Sequence, residues 1–257
     1  MNILNSIYFR TKHVVNNEER KQILRRNNLS EQAVEGVSQS MIEGLETVKN
    51  YVNHANVLLD IGTHHGLFSK ASNAFFDLEQ TICFEPNSVQ NEIIARNCKN
   101  FPHRIENVAL SDSEGEVTFY LHEDETMNSI VESDASVLNA EFPYDNPSKM
   151  TETRVPTTTL DMAVSKLNLT NPTFLLKIDT QGNELNVLAH GTEVLRRTEV
   201  CFIEYMFVSP YKNNFSFYEL VAFMNQQGFD CKGALSIFKR PSKKVSAVDF
   251  LFVKRSE

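Results

Sequence analysis

The 257-residue chain lacks any run of about 18 apolar residues, so no segment is suited to cross a bilayer as a helix. It is also short of basic charge. Lys and Arg number 25 against 33 Asp and Glu, a net charge of -8, and nucleic-acid binding leans on clustered cations, so no nucleic-acid partner is expected. Cysteine is sparse: Cys83, Cys98, Cys201 and Cys231 are scattered without metal-like spacing. Cys83 and Cys201 fall inside apolar strand patterns, which fits buried free thiols in a reducing compartment. The opening MNILNSIYFRTKHVVNNEERKQ is too polar and too poor in small residues for a secretory leader. These absences point to a cytoplasmic soluble protein.

Apolar residues make up 41% of the chain and charged residues 23%, and the length suits one sizeable core with decorations. Residues 1–55 are expected to form a helical extension, with two helices between Asn17 and Val52 that break near Asn27-Asn28. Ser30 is the expected cap of the second. This extension is read as packing on the domain, with a homo-oligomer contact as its other role. From 56 to 257 strands and helices alternate. Strands are expected at Val57–Ile61, Thr81–Phe84, Arg104–Ala109, Glu116–Leu121, Thr173–Asp179, Val200–Val208 and Val248–Val253. Helices are expected at Leu67–Phe76, Ser88–Cys98, Asn183–Leu195 and Phe217–Gln227. Alternation of this length predicts an α/β fold, a doubly wound, mainly parallel seven-stranded sheet. His122 to Met150 does not fit. It carries seven acidic residues and little periodicity, and reads either as a lid over the strand ends or as a solvated excursion.

The stretch NVLLDIGTHHGLFS, Asn56 to Ser69, carries most of the information. A buried strand runs into a turn punctuated by Asp60, Gly62 and Gly66 and then into a helix. About twenty residues on, Thr81-Ile82-Cys83-Phe84-Glu85-Pro86 ends a second apolar run with a carboxylate. A turn followed by an acid at that distance is the layout of a nucleoside site, the acid serving the ribose hydroxyls. The glycine-rich G-x-G-x-x-G pattern is absent, because its second and third glycine positions hold His64 and Leu67. That argues against a pyrophosphate and for a ligand with only a methionine tail, a ribose and an adenine.

With DIGTHHGLFS, CFEPN, NVALSDSEGEVTFY, VPTTTLD, LLKIDTQGNELNVLAHG and VCFIEYMF in that order, the chain resembles the FkbM family of S-adenosylmethionine-dependent methyltransferases over roughly Asn56 to Phe229. Thr63-His64 stands where that family usually has Ala-Asn. Thr180-Gln181-Gly182 stands where it often has Val-Glu-Gly, which removes a carboxylate able to help bind a metal. The resemblance implies a Rossmann-like class I methyltransferase fold with S-adenosyl-L-methionine as cofactor. It implies a cofactor pocket of Asp60, Gly62, Thr63, His64, Gly66 and Phe68 at the first turn, Glu85 and Pro86 after strand two, Val108 and Ala109 beside the adenine, and Asp179 at the mouth. Asn128, Ser129 and Tyr205 are the expected substrate contacts.

Asp179, Glu204 and His64 are the candidate general bases. A divalent metal held by Asp179 and Glu204 is the less favoured route, since no third ligand is evident. Other readings of these residues remain open: His64 and His65 as loop histidines, Lys177 as an ion-pair mate of Asp179 or Glu204, Glu184 as a first-turn acid, and Asn128-Ser129 as a loop turn. The resemblance implies O-methylation of a hydroxyl on a small molecule, sugar or glycan. Methylation of RNA is disfavoured by the acidic balance and by the lack of an Asn-Pro-Pro-aromatic run. An NAD-dependent oxidoreductase and a non-catalytic cofactor-binding module share the fold and stay as alternatives.

Overall fold

The computed structural model describes residues 18–142, 144–212, 215–239 and 244–256. Residues 1–17, which carry most of the leader-sequence expectation and the first part of the expected helical extension, lie outside them. A seven-stranded sheet runs in the order β3-β2-β1-β7-β8-β10-β9. Its members are β1 (Val57–Ile61), β2 (Gln80–Phe84), β3 (His103–Glu106), β7 (Phe174–Ile178), β8 (Thr198–Met206), β9 (Phe229–Lys239) and β10 (Val245–Lys254). The first five in this order pair in parallel, and β10 and β9 add an antiparallel edge. The fold is therefore the expected mainly parallel Rossmann-like sheet.

Its seventh member differs from expectation. Strand β5 (Gly115–Leu121) leaves the main sheet and joins β4 (Ala109–Leu110) and β6 (Thr151–Thr158) in a separate three-stranded sheet. The expected strand Arg104–Ala109 is thereby split between the two sheets, and β9 takes the vacant edge. Helices α3 (Leu67–Phe75), α4 (Asn91–Cys98), α6 (Leu160–Ser165), α7 (Glu184–Ala189), α8 (Thr192–Arg196) and α9 (Phe217–Gln226) follow the strands. The single helix expected over Asn183–Leu195 breaks at Gly191, where a Cβ would lie 2.5 Å from the Leu160 side chain.

Helix α1 (residues 18–26) and α2 (Gln39–Val48) form the extension. Ser30 caps only a 3-10 turn, Glu31–Val34; Gly36 then takes φ +82° and Ser38 caps α2. Ile42, Leu45 and Val48 are fully buried against Phe68, Phe75, Leu58 and Leu175. Each such side chain contributes about 1.5–3 kcal/mol, so the extension belongs to the core. The apolar face of α2 is turned inward. On the opposite face of the sheet, Leu59, Ile61 and Leu176 pack on Leu188, Leu195 and Leu220.

Between β5 and β6 the chain makes its long excursion. It is more ordered than its composition predicts, with α5 (Ala135–Glu141) capped by Asp134 and two 3-10 turns, Glu125–Met127 and Pro147–Lys149. A buried set holds it: His122 Nδ1 lies 2.7 Å from Asp145 Oδ2, and His122 Nε2 lies 3.1 Å from Ser133 Oγ. Asp145 Oδ1 also accepts the Asp124 N–H.

Candidate active site

Strand alternation decides which side chains meet at the carboxyl ends. Leu58, Leu175, Phe202 and Leu251 face the extension. Two residues further along β1, β7 and β8, and two residues earlier on antiparallel β10, Asp60, Lys177, Glu204 and Asp249 share that face; Asp60 pairs in register with Lys177, and Glu204 with Asp249. A polar row thus crosses four adjacent strands.

Two cavities open onto it. The first, about 420 Å³, is bounded by the β1 and β2 turns, the small sheet and the excursion; the second, about 220 Å³, lies under α2 and β9. Gly62, His64, Asp179 and Glu204 line both.

The β1 turn is built by backbone. Gly62 takes φ +74°, and a Cβ there would lie 1.8 Å from the Asp179 carbonyl oxygen. This glycine is required by the close approach of β1 and β7. The Gly62 and Thr63 N–H groups donate to the Phe84 carbonyl, at 3.0 and 3.2 Å, and tie the turn to the end of β2. His64, at φ +50°, donates its N–H to Glu85 Oε2 at 2.9 Å. Glu85 Oε1 accepts from the Asn87 N–H at 3.0 Å. Burial pushes the Glu85 carboxyl up, and those two N–H donors oppose the shift. An ionised carboxylate has about four lone-pair sites, and these two hydrogen bonds use two of them.

Lys177 donates to the Gly62 carbonyl at 2.6 Å and lies 3.4 Å from Asp179 and 3.6 Å from Asp60. Burial alone pulls its pKa down, but Asp179, Asp60, Asp249 and Glu204 outweigh that and hold it above the usual lysine value. Gln181, at φ +57°, donates through Nε2 to Asp179 (2.7 Å) and to Glu204 (2.9 Å). Burial, then the charges of Asp179 and Asp249, push Glu204 well up; burial and Asp179 push Asp249 up to about 7. Glu184 is no simple first-turn acid. It is buried and accepts the N–H groups of Thr180 and Gly182, and burial pushes it up to about 7.

Of the residues expected at the site, Gly62, His64, Glu85, Pro86, Val108, Ala109, Asn128, Ser129, Asp179 and Glu204 line the first cavity. Thr63 and Phe68 line the second. Three of the expected residues line neither cavity. Asp60 lines neither cavity; it is fully buried, accepts from Ser69 Oγ at 2.6 Å and faces Lys177. Gly66 lines neither; it starts α3 with φ +74°, packed on Cys98 and Ile94. Tyr205 follows Glu204 on β8 and therefore points to the other face, into a cluster with Phe207, Phe215 and Phe217. Ser129 lines the cavity, but its hydroxyl is engaged, donating to the Gln181 carbonyl at 2.7 Å and accepting the Val131 N–H. The sequence reading missed Gln181, Asp249 and Glu125. For Gln181 the available signal was a long polar side chain directly after the Asp179 strand end.

A sequence model described as the methyltransferase FkbM domain matches residues 60–231. No curated protein matches the sequence. Solved structures with a similar chain path include an rRNA methylase from Streptococcus thermophilus, at TM-score 0.47 and 7% identity over 86% of this chain and 99% of that one. A precorrin-6y C5,15-methyltransferase from Geobacter metallireducens gives 0.43 and 12% over 86% and 90%. TrmK from M. capricolum in complex with S-adenosyl-homocysteine gives 0.44 and 11% over 83% and 68%. The domain match covers well over half of the chain, which therefore belongs to the FkbM family of S-adenosylmethionine-dependent methyltransferases.

Proposed function

We propose that this chain methylates a hydroxyl oxygen on an uncharged small molecule or glycan, with Asp179 as the proton acceptor. The carrying observation is the position of Asp179, which opens to both cavities between Lys177, Gln181 and Glu204. The cavity residues fit the cofactor. Glu85 keeps two lone-pair sites for the ribose hydroxyls, and Phe84, Val108, Ala109 and Leu110 supply an apolar slot for a flat base. S-adenosylmethionine brings an electrophilic methyl group on a sulfonium.

The residues then position and deprotonate. Asp179 would take the proton of the acceptor hydroxyl, whose oxygen would receive the methyl group that the cofactor supplies, the cofactor leaving as its demethylated neutral thioether. Much of such a barrier is met by alignment. Burial pushes the Glu204 carboxyl up, and Gln181 fixes its spacing from Asp179. Asp179, Glu204 and Glu125 on the cavity wall, with the net charge of -8, disfavour a polyanionic acceptor such as RNA.

Asp179→Asn tests this reading. Lys177 keeps Asp60 and the Gly62 carbonyl, so the variant is expected to stay folded with its melting temperature nearly unchanged. Single-turnover transfer from labelled cofactor to alcohol acceptors should fall by about 10²–10⁴-fold. A destabilised variant with near-normal chemistry contradicts the assignment.

A further inference from the structure

We infer that His64, His65 and Glu125 form a binding site for a divalent transition ion of the zinc class, at the seam between the cofactor turn and the excursion. Their ligand atoms all lie within 4.8 Å of one another. His64 Nε2 and His65 Nε2 stand 3.9 and 3.8 Å from Glu125 Oε2. Two ligands each at about 2.1 Å from one ion can be no more than ~4.2 Å apart, so both separations already lie within reach of a shared ion.

Two features support a site over a chance cluster. His64 Nε2 is buried and has no hydrogen-bond partner among the described residues, a costly state that a metal would relieve. Gln90 Nε2 donates to Glu125 Oε2 at 2.9 Å, and the Asn97 side chain donates to the His65 carbonyl at 2.7 Å, so the carboxylate and the loop are both anchored from outside.

Two nitrogens and one oxygen suit zinc, cobalt or nickel better than magnesium, which prefers oxygen donors. Three protein ligands leave coordination positions open, and His64 and Glu125 both line the first cavity, so those positions can receive water or an acceptor oxygen. The ion would also tie the excursion, through Glu125, to the β1 turn. This inference stands apart from the identity of the acceptor.

The test uses the full chain stripped with chelator, then titrated with Zn²⁺ by calorimetry and with Co²⁺ by visible absorption. One ion per chain is expected, with the cobalt bands of a mixed nitrogen–oxygen site and no displacement by excess Mg²⁺. His65→Gln and Glu125→Gln should each weaken Zn²⁺ binding at least ~10-fold and alter the cobalt spectrum. Both side chains are partly exposed, and the far-UV circular dichroism and melting temperature of the same samples report that they remain folded. Absence of binding by the parent, or affinity and spectrum unchanged in the double variant His65→Gln/Glu125→Gln, overturns the site. Loss of S-adenosylhomocysteine binding by the parent with Zn²⁺ binding intact would count against the cofactor pocket and leave the metal site standing.

Discussion

The two walls of the main cavity are made in different ways. The wall at the β1 and β2 ends is backbone: the Gly62, Thr63 and His64 N–H groups are all committed to Phe84 or Glu85 within one short stretch of chain. The opposite wall, the excursion between β5 and β6, is held by side chains reaching far in sequence. Ser129 grips the Gln181 carbonyl, the Tyr211 hydroxyl lies 2.8 Å from the Met127 carbonyl and 3.1 Å from Gln181 Oε1, and His122 meets Asp145. A backbone-built wall is preorganised and tolerates little substitution. A wall of side-chain clasps can open locally without unfolding the sheet.

The comparison breaks most severely at Gly62. In Gly62→Ala the new Cβ would meet the Asp179 carbonyl, and neither strand end can retreat without parting β1 from β7. A loss of more than ~4 kcal/mol is expected in denaturant unfolding. A stably folded Gly62→Ala protein would mean that the turn is looser than its geometry.

Asp145→Ala probes the other wall. It leaves His122 Nδ1 and the Asp124 N–H buried without their partner, a cost of about 3 kcal/mol. The effect should be local. Hydrogen exchange should quicken across residues 122–142 and 144–150 while β1 and β2 keep their protection and S-adenosylhomocysteine binding holds. Uniform acceleration over both regions would show that the two walls unfold together.

Much of the first wall was legible in the sequence because its determinants are local. Val57 to Ile61, the glycine at 62 and the acid at 85 follow one another within a strand, a turn and a strand. The clasped wall depends on contacts that no local pattern announces. TETRVPTT of β6 has almost no apolar alternation, since most of its residues are exposed, and FDCKGALSIFK of β9 is interrupted by Gly233 at φ +139°. Gln181 gains its role only when β7 and β8 lie side by side. Tyr205 was misplaced because its neighbour Glu204 faces the cavity, and successive strand residues face opposite ways.

A smaller, pH-dependent effect is expected at Asp249. Its folded pKa of about 7 lies above the ~3.9 of an unfolded aspartate, so the buried carboxyl costs stability that accrues as pH rises from about 4 to about 7. Asp249→Asn should therefore match the parent near pH 4 and exceed it in melting temperature near pH 8. A constant difference across that range would remove the titration from the account.

The central claim is that the backbone-built wall holds the cofactor through Glu85. Calorimetric titration of S-adenosylhomocysteine into the parent and into Glu85→Ala tests it most directly, and it needs no knowledge of the acceptor. The loss of charge-assisted hydrogen bonds to the ribose should weaken binding by about 1–3 kcal/mol, with the variant still folded. Equal affinity in the two proteins would contradict the claim and move the cofactor away from the end of β2.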